Sequence, residues 1–185
     1  MSSTFGPSAL VTPANAVTIG RVALTPVLLL LILGTGASWP ALALWIGLAA
    51  TDGVDGYIAR RHGTTRSGAF LDPLADKFLV LGAMVCLVAE GHFGWLPVAL
   101  IAAREITISV WRSVLGRQGV SVPARWSAKV KTVLQDVAVG MALLPPLHER
   151  RPGLAEVVLW VAVGWTLVSG AQYVLDGRKG PAVVV

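Results

Sequence analysis

Apolar runs of about 20 residues recur from one end of this chain to the other, with only short polar breaks between them. A helix of that length matches the roughly 30 Å hydrocarbon core of a bilayer. Inside that core only structures that satisfy their own backbone hydrogen bonds persist. The runs cover about residues 14–33, 40–58, 68–90, 95–115, 127–144 and 154–175. The glycine-containing stretch Gly34–Ser38 ends the first, and Pro145 and Pro146 stop the fifth. The expected fold is therefore an all-α integral membrane protein of six transmembrane helices. Composition agrees: 55% of residues are apolar and 14% charged, with a mean hydropathy of +0.70, against about 25% charged in a typical soluble domain. A soluble enzyme, a disordered chain and a disulfide scaffold are excluded, and the single cysteine, Cys86, has no intrachain partner. Residues 1–12 are expected to be a mobile tail without signal-peptide character. Residues 13–178 form the expected six-helix domain, and 179–185 a second tail. No internal repeat is visible.

The charge distribution orients the bundle. Fifteen basic residues against ten acidic give a net charge of +5. In a soluble chain that excess suggests nucleic acid; in a membrane protein it marks loops facing the cytoplasm. The junction between the second and third runs holds Arg60, Arg61 and Arg66, and that between the fourth and fifth holds Arg112, Arg117, Arg125, Lys129 and Lys131. The opposite loops hold only Arg150 and Arg151. Both termini and the two basic junctions are thus expected in the cytoplasm. Trp39, Trp95 and Trp126 fall near run ends and read as interfacial anchors.

Four aspartates break the rule that charge sits at run ends. Asp52 and Asp55 are three residues apart, and Asp72 and Asp76 four apart, so each pair shares a helix face. One carboxylate at mid-membrane costs roughly 2.5–3.5 kcal/mol on insertion scales. Four require a wet site or neutralisation, and hard divalent cations with oxygen ligands provide the latter. A single such aspartate would be read as a helix cap or as an ion-pair partner of Arg60, Arg61 or Lys77. Four at paired helical spacing, flanked by Gly53, Gly56 and Gly68, are poorly explained that way. The glycines permit close approach of helices or of a phosphate.

Asp52, Gly53, Val54, Asp55, Gly56, Tyr57, Ile58, Ala59 and Arg60, followed by Gly68, Asp72 and Asp76, follow the pattern D-x2-D-G-x2-A-R, a spacer, then G-x3-D-x3-D. This resembles the signature of the CDP-alcohol phosphotransferase family. Seven residues separate Arg60 from Gly68, where eight is usual in that family. The resemblance extends to Asn15, Thr18 and Arg21 in the first run. The stretch from Phe70 to Lys77 is similar to the phosphatidylglycerophosphate synthase branch, as are Ala103 to Ile106 and Lys129, Lys131, Thr132 and Gln135. It covers about residues 15–135; the sixth run adds little.

The resemblance implies attack of an alcohol on the lipid-linked phosphorus of CDP-diacylglycerol, with release of CMP. It implies two Mg²⁺ or Mn²⁺ ions held by Asp52, Asp55, Asp72 and Asp76, with Asp76 also the general base. Asn15, Thr18, Gly56, Arg60, Thr65 and Gly68 match positions that contact the CDP-lipid. Thr65 reads equally as a polar loop residue, and Arg21 equally as an interfacial anchor. An acceptor carrying its own phosphate, such as glycerol 3-phosphate, needs a basic pocket. Arg112, Lys129, Lys131 and Arg104 are the candidates. Juxtamembrane bases also attract anionic lipid without specificity, and Arg104 beside Glu105 also reads as an intramembrane ion pair. Glu105, Ser109 and Arg112 share one helix face. The expected partners are CDP-diacylglycerol, glycerol 3-phosphate, membrane lipids and a second copy of the chain as a homodimer, with no nucleic acid. The expected location is the bacterial cytoplasmic membrane, with the site facing the cytoplasm.

Competing readings are a cardiolipin synthase or a phosphatidylinositol phosphate synthase of the same family. A divalent-cation transporter is the reading of a different class; inverted repeats with broken helices would favour it, and neither is visible. Cys86 reads as packing. His62 lies in the cytoplasmic loop without an identifiable partner, and His92 and His148 lie on the side away from the aspartates.

Overall fold

The computed structural model describes the backbone of residues 13–62, 66–117, 126–151 and 153–178, and side-chain surroundings for 17–51, 74–111, 113–114, 129–151 and 153–172. Every described element is helical. Six long helices, α1 (Pro13–Thr35), α2 (Trp39–His62), α3 (Arg66–Ala89), α4 (Trp95–Arg117), α5 (Trp126–Leu143) and α7 (Gly153–Arg178), are joined by short connections, with one short helix, α6 (Pro145–Arg150), before the last. Each long helix overlaps one expected apolar run. Two stretches, Val17–Thr35 and Gly153–Gln172, are long and apolar enough among the described residues to cross a membrane. The tails at 1–12 and 179–185 lie outside the described residues.

Glycine ends two of the helices through the left-handed conformation that other residues rarely adopt. Gly36 (φ +58°) follows α1 and donates its N–H to the Ile32 carbonyl at 2.8 Å. Gly91 (φ +75°) follows α3. Its N–H reaches the Val88 carbonyl at 3.0 Å, and the His92 N–H reaches the Leu87 carbonyl at 2.8 Å. This is the paired bonding of a Schellman cap. The proline pair does more than stop α5. Proline lacks an N–H, so it suits a first helical turn, and Pro145 begins α6 where the sequence pattern gave only a break.

α1 packs against α2 and α3, while α5 packs against α7. Contacts of α4 with α7 and α3, and of α5 with α2 and α3, join these groups. Between them lies a core that includes Leu28, Ile32, Trp45, Leu79, Met84 and Leu143. The Trp45 indole N–H donates to the Asp136 carbonyl at 3.2 Å, tying α2 to α5.

Polarity runs opposite to that of a water-soluble bundle. Arg21, Thr25, Glu105, Lys131, Gln135, Thr166 and Ser169 are buried. Leu30, Val85, Val110, Val157, Val161 and Val168 face outward, as do Trp39 and Trp95 at the starts of α2 and α4. Burying charge while exposing aliphatic side chains is costly in water and natural in lipid.

Candidate active site

The acidic signature occupies two helices consecutive in the chain, on either side of residues 63–65. Asp52 and Asp55 lie in the second half of α2, and Asp72 and Asp76 in the first half of α3. At 1.5 Å per residue, Asp55 and Asp72 each stand roughly 10 Å along their helices from those residues, and Asp52 and Asp76 roughly 15 Å. Asp55 thus pairs with Asp72, and Asp52 with Asp76, in distance along the helices. The surroundings of Asn15, Asp52, Asp55, Gly56, Arg60, Thr65, Gly68, Asp72 and Arg112 lie outside the described residues.

Asp76 borders a small cavity of about 20 Å³, lined also by Lys77, Glu105, Lys131, Thr132 and Gln135 from α3, α4 and α5. Lys131 and Glu105 are both buried and form an ion pair. A buried charge must be paired and hydrogen-bonded to be tolerated, and Glu105 meets that need twice: its Oε1 also accepts from Arg104 Nη1 at 2.9 Å. Arg104 Nη2 donates to Ser169 Oγ on α7 at 2.9 Å. Ser169 in turn donates to the Thr166 carbonyl at 3.0 Å, and Gln135 Nε2 donates to Thr166 Oγ1 at 3.3 Å. On the other wall, Lys77 donates to Ser109 Oγ, whose hydroxyl donates to the Glu105 carbonyl at 2.5 Å. A polar network thus crosses α3, α4, α5 and α7 within an apolar bundle.

This arrangement separates the expected basic residues. Lys131 lines the cavity beside Asp76. Lys129 is exposed, because residues two apart on a helix do not share a face. Arg104 is absent from the lining, its guanidinium engaged by Glu105 and Ser169. Glu105, Gln135, Thr132 and Lys77 join the site although none was expected there as a ligand. Their signal was a charged, amide or hydroxyl side chain inside an apolar helix, but which helices face one another is not written in that signal.

Thr18 and Arg21 are buried on α1. Arg21 Nε donates to Thr51 Oγ1 at 3.4 Å, next to Asp52 in the chain. Arg21 is only 1% exposed, so it does not reach out as an interfacial anchor. Beside the polar cavity, an open apolar groove of about 870 Å³ runs between α1, α3 and α4, and Lys77 and Leu81 line both.

Among the described residues no three His, Cys, Asp or Glu side chains gather as a metal site; of the four aspartates only Asp76 belongs to that described set. The donor chemistry of the signature is nevertheless uniform. It offers carboxylate oxygens alone, with no His or Cys within either block, which suits hard cations such as Mg²⁺ or Mn²⁺.

Residues 11–168 match the family model for CDP-alcohol phosphatidyltransferase. The chain is 39% identical over 170 residues to a probable phosphatidylglycerophosphate synthase of Mycobacterium tuberculosis (strain ATCC 25618 / H37Rv), covering 87% of this chain and 79% of the relative. It is 41% identical over 170 residues to the CDP-diacylglycerol–glycerol-3-phosphate 3-phosphatidyltransferase of Escherichia coli (strain K12), covering 87% and 92%. With the signature in place on α2 and α3, and the match extending across most of the bundle, the chain belongs to the CDP-alcohol phosphatidyltransferase family, a family of transferases.

Proposed function

We propose that this protein transfers the phosphatidyl group of CDP-diacylglycerol to glycerol 3-phosphate, forming phosphatidylglycerophosphate and CMP. The observation that carries this reading is the cavity where Asp76, the last aspartate of the family signature, meets Lys131. There a carboxylate that would take a proton lines the same cavity as a cation suited to a phosphate-bearing acceptor. The names of the two bacterial relatives support the same pair of substrates.

Asp52, Asp55, Asp72 and Asp76 would hold two divalent cations, Mg²⁺ or Mn²⁺, which when bound offset the charge of the diphosphate and the leaving oxygen. Asn15, Thr18, Gly56, Arg60, Thr65 and Gly68 bind the CDP-lipid. The apolar groove beside Lys77 supports a lipid substrate, since it gives acyl chains a path from the site into the bilayer. Lys131 holds the acceptor phosphate, with Arg112, Lys129 and Arg104 as further basic residues of α4 and α5 that favour the anion. As the acceptor hydroxyl oxygen bonds to the lipid-linked phosphorus, its proton passes to the Asp76 carboxylate. The phosphorus–oxygen bond to CMP breaks, and CMP leaves with the electron pair.

In this reading all six long helices span the bacterial plasma membrane, within a single domain of residues 13–178. Both termini and the active site face the cytoplasm, where glycerol 3-phosphate is available, and two copies associate as a homodimer. The test is CMP release from CDP-diacylglycerol by purified protein with a panel of acceptors. Glycerol 3-phosphate is expected to be fastest. Faster release with phosphatidylglycerol or inositol phosphate would keep the fold and replace the acceptor.

A further inference from the structure

Lys131 does not stand alone in the cavity wall. Its ammonium is bound to Glu105 Oε1, and the same oxygen accepts from Arg104 Nη1 at 2.9 Å. A lysine paired with a glutamate alone would be neutral as a unit and would offer little to an anionic acceptor. The second cation changes the balance. One carboxylate shared by two cations leaves the group with a net positive charge, and of the two cations it is Lys131 that lines the cavity with Asp76.

Arg104 is fixed from behind. Nη2 donates to Ser169 Oγ on α7 at 2.9 Å, and Ser169 is itself anchored on the Thr166 carbonyl. The arginine stem passes so close to α7 that a Cβ on Gly170 would stand 3.3 Å from its Nε. A chain of contacts therefore runs from Ser169 through Arg104 and Glu105 to Lys131, from the back of the bundle to the wall of the cavity. The Glu105 carboxylate is the link through which every other member acts.

We propose that Glu105 is a positioning residue for the acceptor phosphate: it fixes the Lys131 ammonium beside Asp76, with Arg104 keeping the shared group cationic. This rests on the reading of Lys131 as the acceptor-phosphate ligand. Glu105 lines the same cavity, but its Oε1 is taken up by two cations, and its role is to limit where Lys131 can go. Without the carboxylate, the flexible lysine has many rotamers available and a like-charged neighbour in Arg104, and its charge is no longer held at one place. The cost should fall on acceptor binding and spare the CDP-lipid, whose proposed ligands lie on α1, α2 and α3 or, for Thr65, in the chain between α2 and α3.

The test is a double-mutant cycle on the full-length purified protein, with KM for glycerol 3-phosphate and for CDP-diacylglycerol both read by CMP release. Glu105→Gln is expected to raise KM for glycerol 3-phosphate about tenfold or more and to leave KM for CDP-diacylglycerol within about twofold. Lys131→Gln should do the same. The double variant should be little worse than either single, because residues acting through one another are not additive. Glu105→Asp, which keeps the charge on a shorter stem, should recover part of the loss. Additive effects of Glu105→Gln and Lys131→Gln would overturn the proposal, as would equal weakening of both substrates. If Glu105→Gln does not accumulate as folded protein, Glu105→Asp decides. A several-fold rise confined to KM for glycerol 3-phosphate supports the positioning role, and a wild-type KM rejects it. The acceptor reading stands or falls separately, on the wild-type acceptor panel: if another acceptor is faster, the cycle is read with that acceptor.

Discussion

Asp76 and His92 stand on different sides of the bundle and make different demands on protonation. Asp76 is assigned both a metal and a proton, whereas Asp52 is assigned a metal only. Removing a general base typically costs 10²- to 10⁴-fold in rate. Asp76→Asn should therefore lower kcat by about that much while CDP-diacylglycerol binding survives better than in Asp52→Asn. Near-normal turnover of Asp76→Asn at saturating substrates would remove the base assignment. His92 follows the cap of α3, its ring stacked on His148 with centroids 4.0 Å apart. Its Nδ1 is buried without a hydrogen-bond partner. Burial, and then the neighbouring His148, push its pKa below the ordinary 6.5; the backbone of Ala142 and the charge of Glu90 oppose this without reversing it. Below pH 6.5 the unfolded chain takes up a proton that the folded chain resists, so stability should fall as pH drops through 6.5 toward the lowered value. The expected result is a lower Tm at pH 5 than at pH 7.5, with the difference reduced in His92→Gln. An unchanged difference in that variant would place the pH sensitivity elsewhere.

Helices were legible because each apolar run must become one in lipid. One end was legible from its glycines, since α1 stops at Gly36, within the Gly34–Ser38 break. The facing of one helix to another was not. The spacing of Asp52, Asp55, Asp72 and Asp76 shows which positions share a face of their own helix. Nothing in it shows that Glu105 and Gln135 complete the wall next to Asp76. Lys129 and Lys131 are a partial exception, since their two-residue separation already forbids a common face. Close packing between helices was hidden for the same reason. A Cβ on Gly82 would stand 3.2 and 3.3 Å from the terminal methyls of Leu29, so α1 and α3 approach closely at a position that reads as one more small residue in an apolar run. Gly82→Ala should be mild, because those methyls can shift. Gly82→Val should destabilise by about 1–3 kcal/mol, the usual cost of overpacking, and lower Tm accordingly. Gly164→Ala, with nothing within 4 Å of its Cβ, is the control expected to be tolerated. Equal Tm values for Gly82→Val and Gly164→Ala would show that the α1–α3 approach carries no packing constraint.

The whole molecule combines an apolar exterior, a polar seam through its middle and a charge imbalance between its two ends. Basic residues gather where α2 finishes and α3 begins, and where α4 finishes and α5 begins. The exposed Trp39 and Trp95 start α2 and α4 at the other end, consistent with an interfacial belt there. Positive charge is retained on the cytoplasmic side of a membrane, so the basic end, with the acidic signature near it, should face the cytoplasm. That orientation matters for the proposed reaction, in which glycerol 3-phosphate, unable to cross the bilayer unaided, would meet Lys131 from the side on which it is made. Chemical labelling can read the orientation directly. Cys86 is the only cysteine and is buried, so a cysteine introduced at either end reports its own side. In intact cells a membrane-impermeant maleimide should label Glu149→Cys, on α6. It should reach Arg117→Cys, at the end of α4, only after the membrane is permeabilised. The reverse pattern would invert the bundle and put the proposed site on the wrong side for its acceptor. Labelling of both variants in intact cells would mean that α5 does not carry the chain across a bilayer between them, and would remove the six-span reading.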